Sequence, residues 1–117
     1  MKKIGVVGLG NMGMGIAKNL IKNEFDTTGF DLRNSCLKEL KDSGGNVASS
    51  VEDIGKICDV VFIMVMNGNQ VNDVVIKLSP GLKDDGTIIV TATITPEEIR
   101  SAYKIAKKNN IKMIDSP

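Results

Sequence analysis

Histidine is absent from this 117-residue sequence, and so is tryptophan. Without histidine the commonest general base near neutral pH is missing, as are Ser-His and Cys-His nucleophile pairs and most zinc sites. Aromatic residues are scarce, namely Phe25, Phe30, Phe62 and Tyr103. An excess of one charge is lacking too: 15 Lys+Arg stand against 14 Asp+Glu, a net charge of +1. Scattered, balanced charge with few aromatics argues against nucleic acid as a partner. The longest apolar run, Val60 to Met66, falls far short of the roughly 20 residues that a bilayer-crossing helix needs, so no membrane is expected. Cys36 and Cys58 form no CxxC pair and lie in stretches that read as helix; both are expected to be small buried apolar residues. No metal site is expected. Met1-Lys2-Lys3 leads into only a few apolar residues before Gly5, Gly8 and Gly10, so no secretory leader is expected, and the expected setting is the reducing cytoplasm.

What is present is the composition of an ordinary globular domain, 42% hydrophobic and 25% charged, at the length of one domain. Short Val/Ile-rich runs alternate with stretches of helical period, the pattern of strands joined by crossover helices. Strands are predicted at Lys3–Val7, Thr27–Asp31, Asn46–Ala48, Asp59–Val65, Thr87–Thr91 and Ile111–Asp115. Most are nearly continuous in apolar residues, as strands covered on both faces are. The fold class is therefore α/β, a Rossmann-type doubly wound parallel sheet with helices on both faces.

Between the strands, Met12, Ile16, Ala17, Leu20 and Ile21 recur at helical spacing. Further helices are predicted at Ser35–Lys41, at Val51–Ile57 behind a Ser49-x-x-Glu52 capping box, and at Gln70–Leu78, which Ser79-Pro80-Gly81 stops. The last opens on Thr95-Pro96-Glu97-Glu98, a cap, a first-position proline and a second box, and ends at Asn109-Asn110.

Gly8-Leu9-Gly10-Asn11-Met12-Gly13 is a GxGxxG string directly after the first strand and at the opening of the first helix. There the first glycine permits a tight turn, the second lets backbone approach a pyrophosphate, and the third lets helix pack on strand. Unpaired N–H groups at the helix start would face the phosphates, with the helix dipole behind them. Asp31 ends the second strand, where a carboxylate accepts bonds from both adenosine ribose hydroxyls and repels a 2′-phosphate. This favours NAD over NADP, although Arg33 could turn toward a phosphate. Asp31 read without the glycines would be a turn former. Asn67 and Thr93 share the carboxyl edge of the sheet, either as ligand contacts or as loop and helix-entry residues. Met12, Met14, Met64 and Met113 read as core packing, while Met66 falls on the loop after the fourth strand.

The string Gly8-Leu9-Gly10-Asn11-Met12-Gly13-Met14-Gly15-Ile16-Ala17-Lys18-Asn19-Leu20 resembles the amino-terminal signature of the 3-hydroxyisobutyrate dehydrogenase family of β-hydroxyacid dehydrogenases, related to 6-phosphogluconate dehydrogenase. Asp59 to Met66 is similar to that family's fourth strand and loop, and Thr91-Ala92-Thr93-Ile94-Thr95-Pro96 to its Ser-Thr-Ile-Ser-Pro segment, with Ala92 in place of a serine. The resemblance implies a cofactor site in which Gly8, Leu9, Gly10, Asn11, Met12 and Gly13 hold the pyrophosphate. It puts Asp31, with Leu32 and Arg33, at the adenosine ribose. Val65, Met66 and Asn67 would lie along the cofactor backbone, and Thr93 on the nicotinamide ribose side.

Ile114-Asp115-Ser116-Pro117 is similar to the start of the family's substrate-carboxylate segment. In the family an all-helical domain follows, carrying the catalytic lysine and an asparagine near it. No lysine of this sequence aligns with that lysine, and Lys104, Lys107, Lys108 and Lys112 read as a solvated face. The resemblance thus implies residues 1–117 as the dinucleotide-binding domain of an NAD-dependent 3-hydroxyacid dehydrogenase, with no catalytic residue of its own and inactive alone. Substrates in keeping with it are 3-hydroxyisobutyrate, tartronate semialdehyde or glycerate, and threonate, and the wording of Phe25–Leu32 and Val65–Val71 leans to the threonate branch. Self-association into a homo-oligomer is a further expectation, through apolar surface left for another domain. A stand-alone nucleotide-sensing module, or an FAD or S-adenosylmethionine site on the same architecture, stays open at this point because the glycine pattern is common to all.

Overall fold

The computed structural model describes residues 2–64, 68–84, 86–91 and 95–115. Eleven elements alternate along them: β1 (Lys3–Val7), α1 (Asn11–Lys22), β2 (Asp26–Phe30), α2 (Asn34–Asp42), β3 (Asn46–Val47), α3 (Val51–Ile57), β4 (Val60–Ile63), α4 (Gly68–Leu78), β5 (Thr87–Val90), α5 (Pro96–Lys108) and β6 (Lys112–Asp115). All six strands join one parallel sheet in the order β3-β2-β1-β4-β5-β6. This is the doubly wound order, in which the chain builds outward from β1 to one side and then returns to build on the other.

Alternation along each strand divides the interior into two layers. Val6 and Phe62, in register on β1 and β4, face α1 and α2 and pack with Leu9, Met14, Ala17 and Leu40. Val7, Val61, Ile63, Ile88, Val90 and Met113 point the other way, toward Ile54 of α3, Val71, Val75 and Leu78 of α4, and Ala102 and Ala106 of α5. Gly29 of β2 belongs to the first layer, since a Cβ there would stand 2.5 Å from Leu40 Cδ2. That close approach explains why a central strand carries the sequence Asp-Thr-Thr-Gly-Phe.

Several predicted boundaries move. The second strand runs over Asp26–Phe30, so Asp31 stands just beyond it. The fourth runs over Val60–Ile63, with Asp59 just before it accepting through its carboxylate from Lys3 N–H at 3.0 Å, an end-clasp across to β1, and with Val65 outside the described residues. The first strand is Lys3–Val7 as expected, and the third, fifth and sixth differ from expectation by one residue at an end.

The cap of α3 is Ser50, whose hydroxyl accepts from Asp53 N–H at 3.1 Å, and not Ser49 with Glu52. Ser49 instead donates its hydroxyl to the Asp53 carboxylate, and the acid that completes the arrangement is one position further on than expected. The α5 capping box is formed as read: Glu98 N–H donates to Thr95 Oγ1, and Thr95 N–H to Glu98 Oε1.

Cys58 is buried but sits at the end of α3 as its C-cap, and Cys36 is only partly buried. Burial pushes the Cys58 thiol up to about 11, so it stays protonated. Met14 and Met113 are core residues, but Met12 is 71% exposed. It falls on the outer side of a helix whose inward positions are Gly13, Met14 and Ala17. Among the described residues no helix is long and apolar enough to cross a membrane, and no cluster of three or more His, Cys, Asp or Glu could hold a metal ion.

Candidate functional site

The strand order reverses between β1 and β4, and in doubly wound sheets ligands bind at the carboxyl edge of that switch point. Gly8, the first residue beyond β1, has φ +98°, a conformation that side chains other than glycine's seldom adopt. Its N–H donates to Phe30 O at 2.9 Å, tying the turn to the end of β2. A Cβ on Gly8 would lie 2.7 Å from the carbonyl oxygen of Met64, so the backbones following β1 and β4 are in near contact.

Gly13, one turn into α1, is packed harder still: a Cβ there would lie 1.9 Å from Gly8 O. The helix can begin this close to the strand only because both positions lack a side chain. Leu9, between them, is buried in the layer beneath α1.

The start of α1 differs from those of α3 and α5. Its N-cap, Gly10, offers no side chain, and no acid lies in the first turn. Helices α3 and α5 fill the same positions with Ser50 and Asp53, or with Thr95 and Glu98, whereas α2, like α1, has neither a side-chain cap nor a first-turn acid. The positive end of α1 thus has no side-chain cap and no carboxylate of its own first turn. Asn11 and Met12 are exposed around it, and above Gly10 the nearest atom to a hypothetical Cβ is Arg33 Nη2, at 3.8 Å.

Asp31 supplies the anionic shoulder of the turn. Its Oδ2 accepts from Leu9 N–H at 2.7 Å and from Arg33 Nη2 at 3.0 Å. Its Oδ1 accepts from Arg33 N–H and from Arg33 Nε, both at 2.9 Å. The side chain is only 8% exposed, whereas that of Arg33 is 60% exposed. Principally through the Arg33 side chain, and against the cost of burial, the carboxyl is held at about 2, with the Leu9 and Arg33 amides adding to the effect. Arg33 is raised in turn above the usual guanidinium range by Asp31. Leu32, between them, is 90% exposed.

The structure therefore brings together Gly8, Leu9, Gly10, Asn11, Met12, Gly13, Asp31, Leu32 and Arg33. Val65, Met66, Asn67, Ala92 and Thr93 lie outside the described residues. One contact at this edge was not read from the sequence. Thr91, just after β5, donates its hydroxyl to Ile63 O at 3.2 Å and lies against Met64 Sδ, so it clasps the end of β4. A threonine at the carboxyl end of an apolar strand is the signal that could have found it.

Residues 3–117 match the model of the family described as the NAD binding domain of 6-phosphogluconate dehydrogenase. The chain belongs to this family. Curated members similar to it include the L-threonate dehydrogenase of Cupriavidus necator, 30% identical over 99% of this chain and 40% of that protein. Another is the mitochondrial 3-hydroxyisobutyrate dehydrogenase of Rattus norvegicus, 32% identical over 97% of this chain and 35% of the relative. Among solved structures, the 3-hydroxyisobutyrate dehydrogenase of Mycobacterium tuberculosis with L-serine superposes with a TM-score of 0.95 at 25% identity, over all of this chain and 40% of that one. The chain thus spans about 40% of the length of such relatives. The family membership implied by the Gly8–Leu20 string and the α/β sheet expected from the strand pattern both hold.

Proposed function

We propose that this chain holds NAD in preference to NADP, as the cofactor half of an oxidoreductase acting on a 3-hydroxy acid. The observation that carries the reading is the bond from Leu9 N–H to Asp31, which fixes an ionised carboxylate beside the glycine turn. The donor set suits a dinucleotide. The start of α1, with no side chain on Gly10 and the Arg33 guanidinium beside it, suits a pyrophosphate. Asp31 suits a ribose diol and repels a phosphate in the same place. Gly8 to Gly13 would hold the pyrophosphate, and Asp31 and Leu32 the adenosine end. Val65, Met66 and Asn67 are assigned to the cofactor backbone, and Thr93 to the nicotinamide ribose side, by sequence alone. When bound, NAD supplies a hydride acceptor at the nicotinamide ring for a carbon that bears a hydroxyl.

The protein's own residues bind and orient; none is assigned a proton-transfer role. The resemblance assigns the grip on the substrate carboxylate to the segment that Ile114-Asp115-Ser116-Pro117 begins, and the movement of the hydroxyl proton to a lysine of a helical domain, which is why residues 1–117 are read as the dinucleotide-binding domain. Two similar relatives are named for L-threonate and for 3-hydroxyisobutyrate, which supports a 3-hydroxy acid as substrate class.

Two measurements test the reading. Calorimetric titration of the 117 residues is expected to give a dissociation constant for NAD at least about tenfold below that for NADP, the loss that a repelled or unpaired charged group brings. The same chain mixed with NAD and threonate, glycerate or 3-hydroxyisobutyrate is expected to produce no NADH absorbance. Equal or tighter NADP binding overturns the cofactor preference, and turnover by these residues overturns the division of labour.

A further inference from the structure

The Asp31 carboxylate has no acceptor capacity to spare. Each of its oxygens already takes two hydrogen bonds, and a carboxylate offers about four such positions in all. Two are filled by backbone N–H groups of Leu9 and Arg33, which belong to the turn and stay with it. The other two are filled by the Arg33 side chain in a two-pronged pair, Nε on Oδ1 and Nη2 on Oδ2. These two are the positions open to exchange, because the guanidinium is 60% exposed and the carboxylate 8%. The same guanidinium stands 3.8 Å from the point where a side chain on Gly10 would begin, so it lies beside the turn as well as on the acid. Asp31 is its one ion-pair partner among the described residues.

We infer that Arg33 moderates the choice that Asp31 makes between the two nicotinamide dinucleotides, by competing with the ribose diol for the Asp31 carboxylate. This rests on the dinucleotide reading above. A ribose with free hydroxyls gains Asp31 only by displacing the guanidinium, so Arg33 weakens NAD. A 2′-phosphate arriving at the same point meets a cation already in place, and its two oxygens can take the prongs that the carboxylate releases. Arg33 thus narrows a preference that Asp31 alone would make steep.

The experiment is titration of NAD and NADP into the 117-residue chain and its Arg33→Gln and Arg33→Lys variants, with a melting curve for each. Release of a partly exposed ion pair predicts that Arg33→Gln tightens NAD about three- to tenfold. Loss of the phosphate's cation predicts that it weakens NADP by about tenfold or more. Arg33→Lys keeps charge but not the fork, so it is expected to lose less NADP affinity than Gln while still tightening NAD. It supplies the same readout if the glutamine variant melts early. A merely structural arginine would move both dinucleotides in one direction, so opposite shifts are the signature. Weaker or unchanged NAD binding in both variants overturns the inference and leaves the cofactor reading standing. Failure of the unsubstituted chain to bind either dinucleotide overturns both.

Discussion

Gly13→Ala is expected to cost the fold about 3 kcal/mol and to remove the response to NAD. The added methyl carbon would lie 1.9 Å from Gly8 O, a backbone atom that cannot rotate away. Either α1 must slide off β1 or the Gly8 turn must open, and overpacking of this kind costs typically 1–3 kcal/mol and sometimes more. At this domain size the melting temperature should fall by roughly 10 °C or more. Opening the turn also moves the α1 amides away from the strand end, which dismantles the anion cradle. Gly15→Ala is the matched control. It lies in the same helix with nothing within 4 Å of the added carbon, and an exposed Gly-to-Ala change inside a helix stabilises by about 0.5–1 kcal/mol. Thermal denaturation of the two variants side by side checks the pair. Equal melting temperatures would contradict the account of why the third glycine of the turn is there.

Asp31→Ala is expected to weaken NAD by one to two orders of magnitude and to leave NADP unchanged or tighter. The first effect follows from deleting a charged acceptor of the ribose hydroxyls, about 1.5–3 kcal/mol. The second follows from freeing Arg33 and removing a negative charge. The variant also strands the buried Leu9 N–H, so stability falls, and Asp31→Asn, which keeps an oxygen for that donor, separates binding from folding.

The same carboxylate makes stability depend on pH. Its folded value of about 2 lies below its ordinary value of 3.8. Its contribution is therefore complete above about pH 4 and is lost as the pH falls through 2. Because the arginine partner is 60% exposed, that contribution is about 1–2 kcal/mol. The stability gap between the native chain and Asp31→Asn should accordingly close between pH 4 and pH 2. A gap that stays constant over this interval would show that the ion pair contributes nothing to the fold.

Most of the architecture is legible in the sequence because strands covered on both faces are written as nearly continuous Val/Ile runs, as in Ile88–Val90 or, broken only by Gly5, Ile4–Val7. The glycine turn is legible for a different reason. Its chemistry requires the absence of side chains at fixed spacings, and glycine at Gly8 and Gly13 records that requirement directly. What sequence spacing conveys poorly is direction. Met12 has the right period for the inner face of α1 yet stands outside, because the helix starts at Asn11 and its phase is set by Gly13 against Gly8. The choice between Ser49 and Ser50 as a cap is likewise a matter of one residue's dihedral angles, and both serines precede an acid at a plausible distance. Nor does Asp31-Leu32-Arg33 reveal that the arginine folds back to fill the carboxylate. That follows from Arg33 holding extended backbone at the N-cap of α2, with Leu32 turned to solvent.

The central claim, that the Gly8–Gly13 turn and Asp31 form a dinucleotide site, is tested most directly by the melting temperature of the 117-residue chain without ligand and with saturating NAD, NADP or FAD. Only a ligand that the folded state binds raises the melting point, by about 2.7 kcal/mol of added stability at a hundredfold excess over its dissociation constant. The account predicts the largest rise with NAD, a smaller one with NADP and none with FAD, the NAD rise vanishing in Asp31→Ala. A chain whose melting temperature no nicotinamide dinucleotide changes, or which FAD alone stabilises, would contradict it.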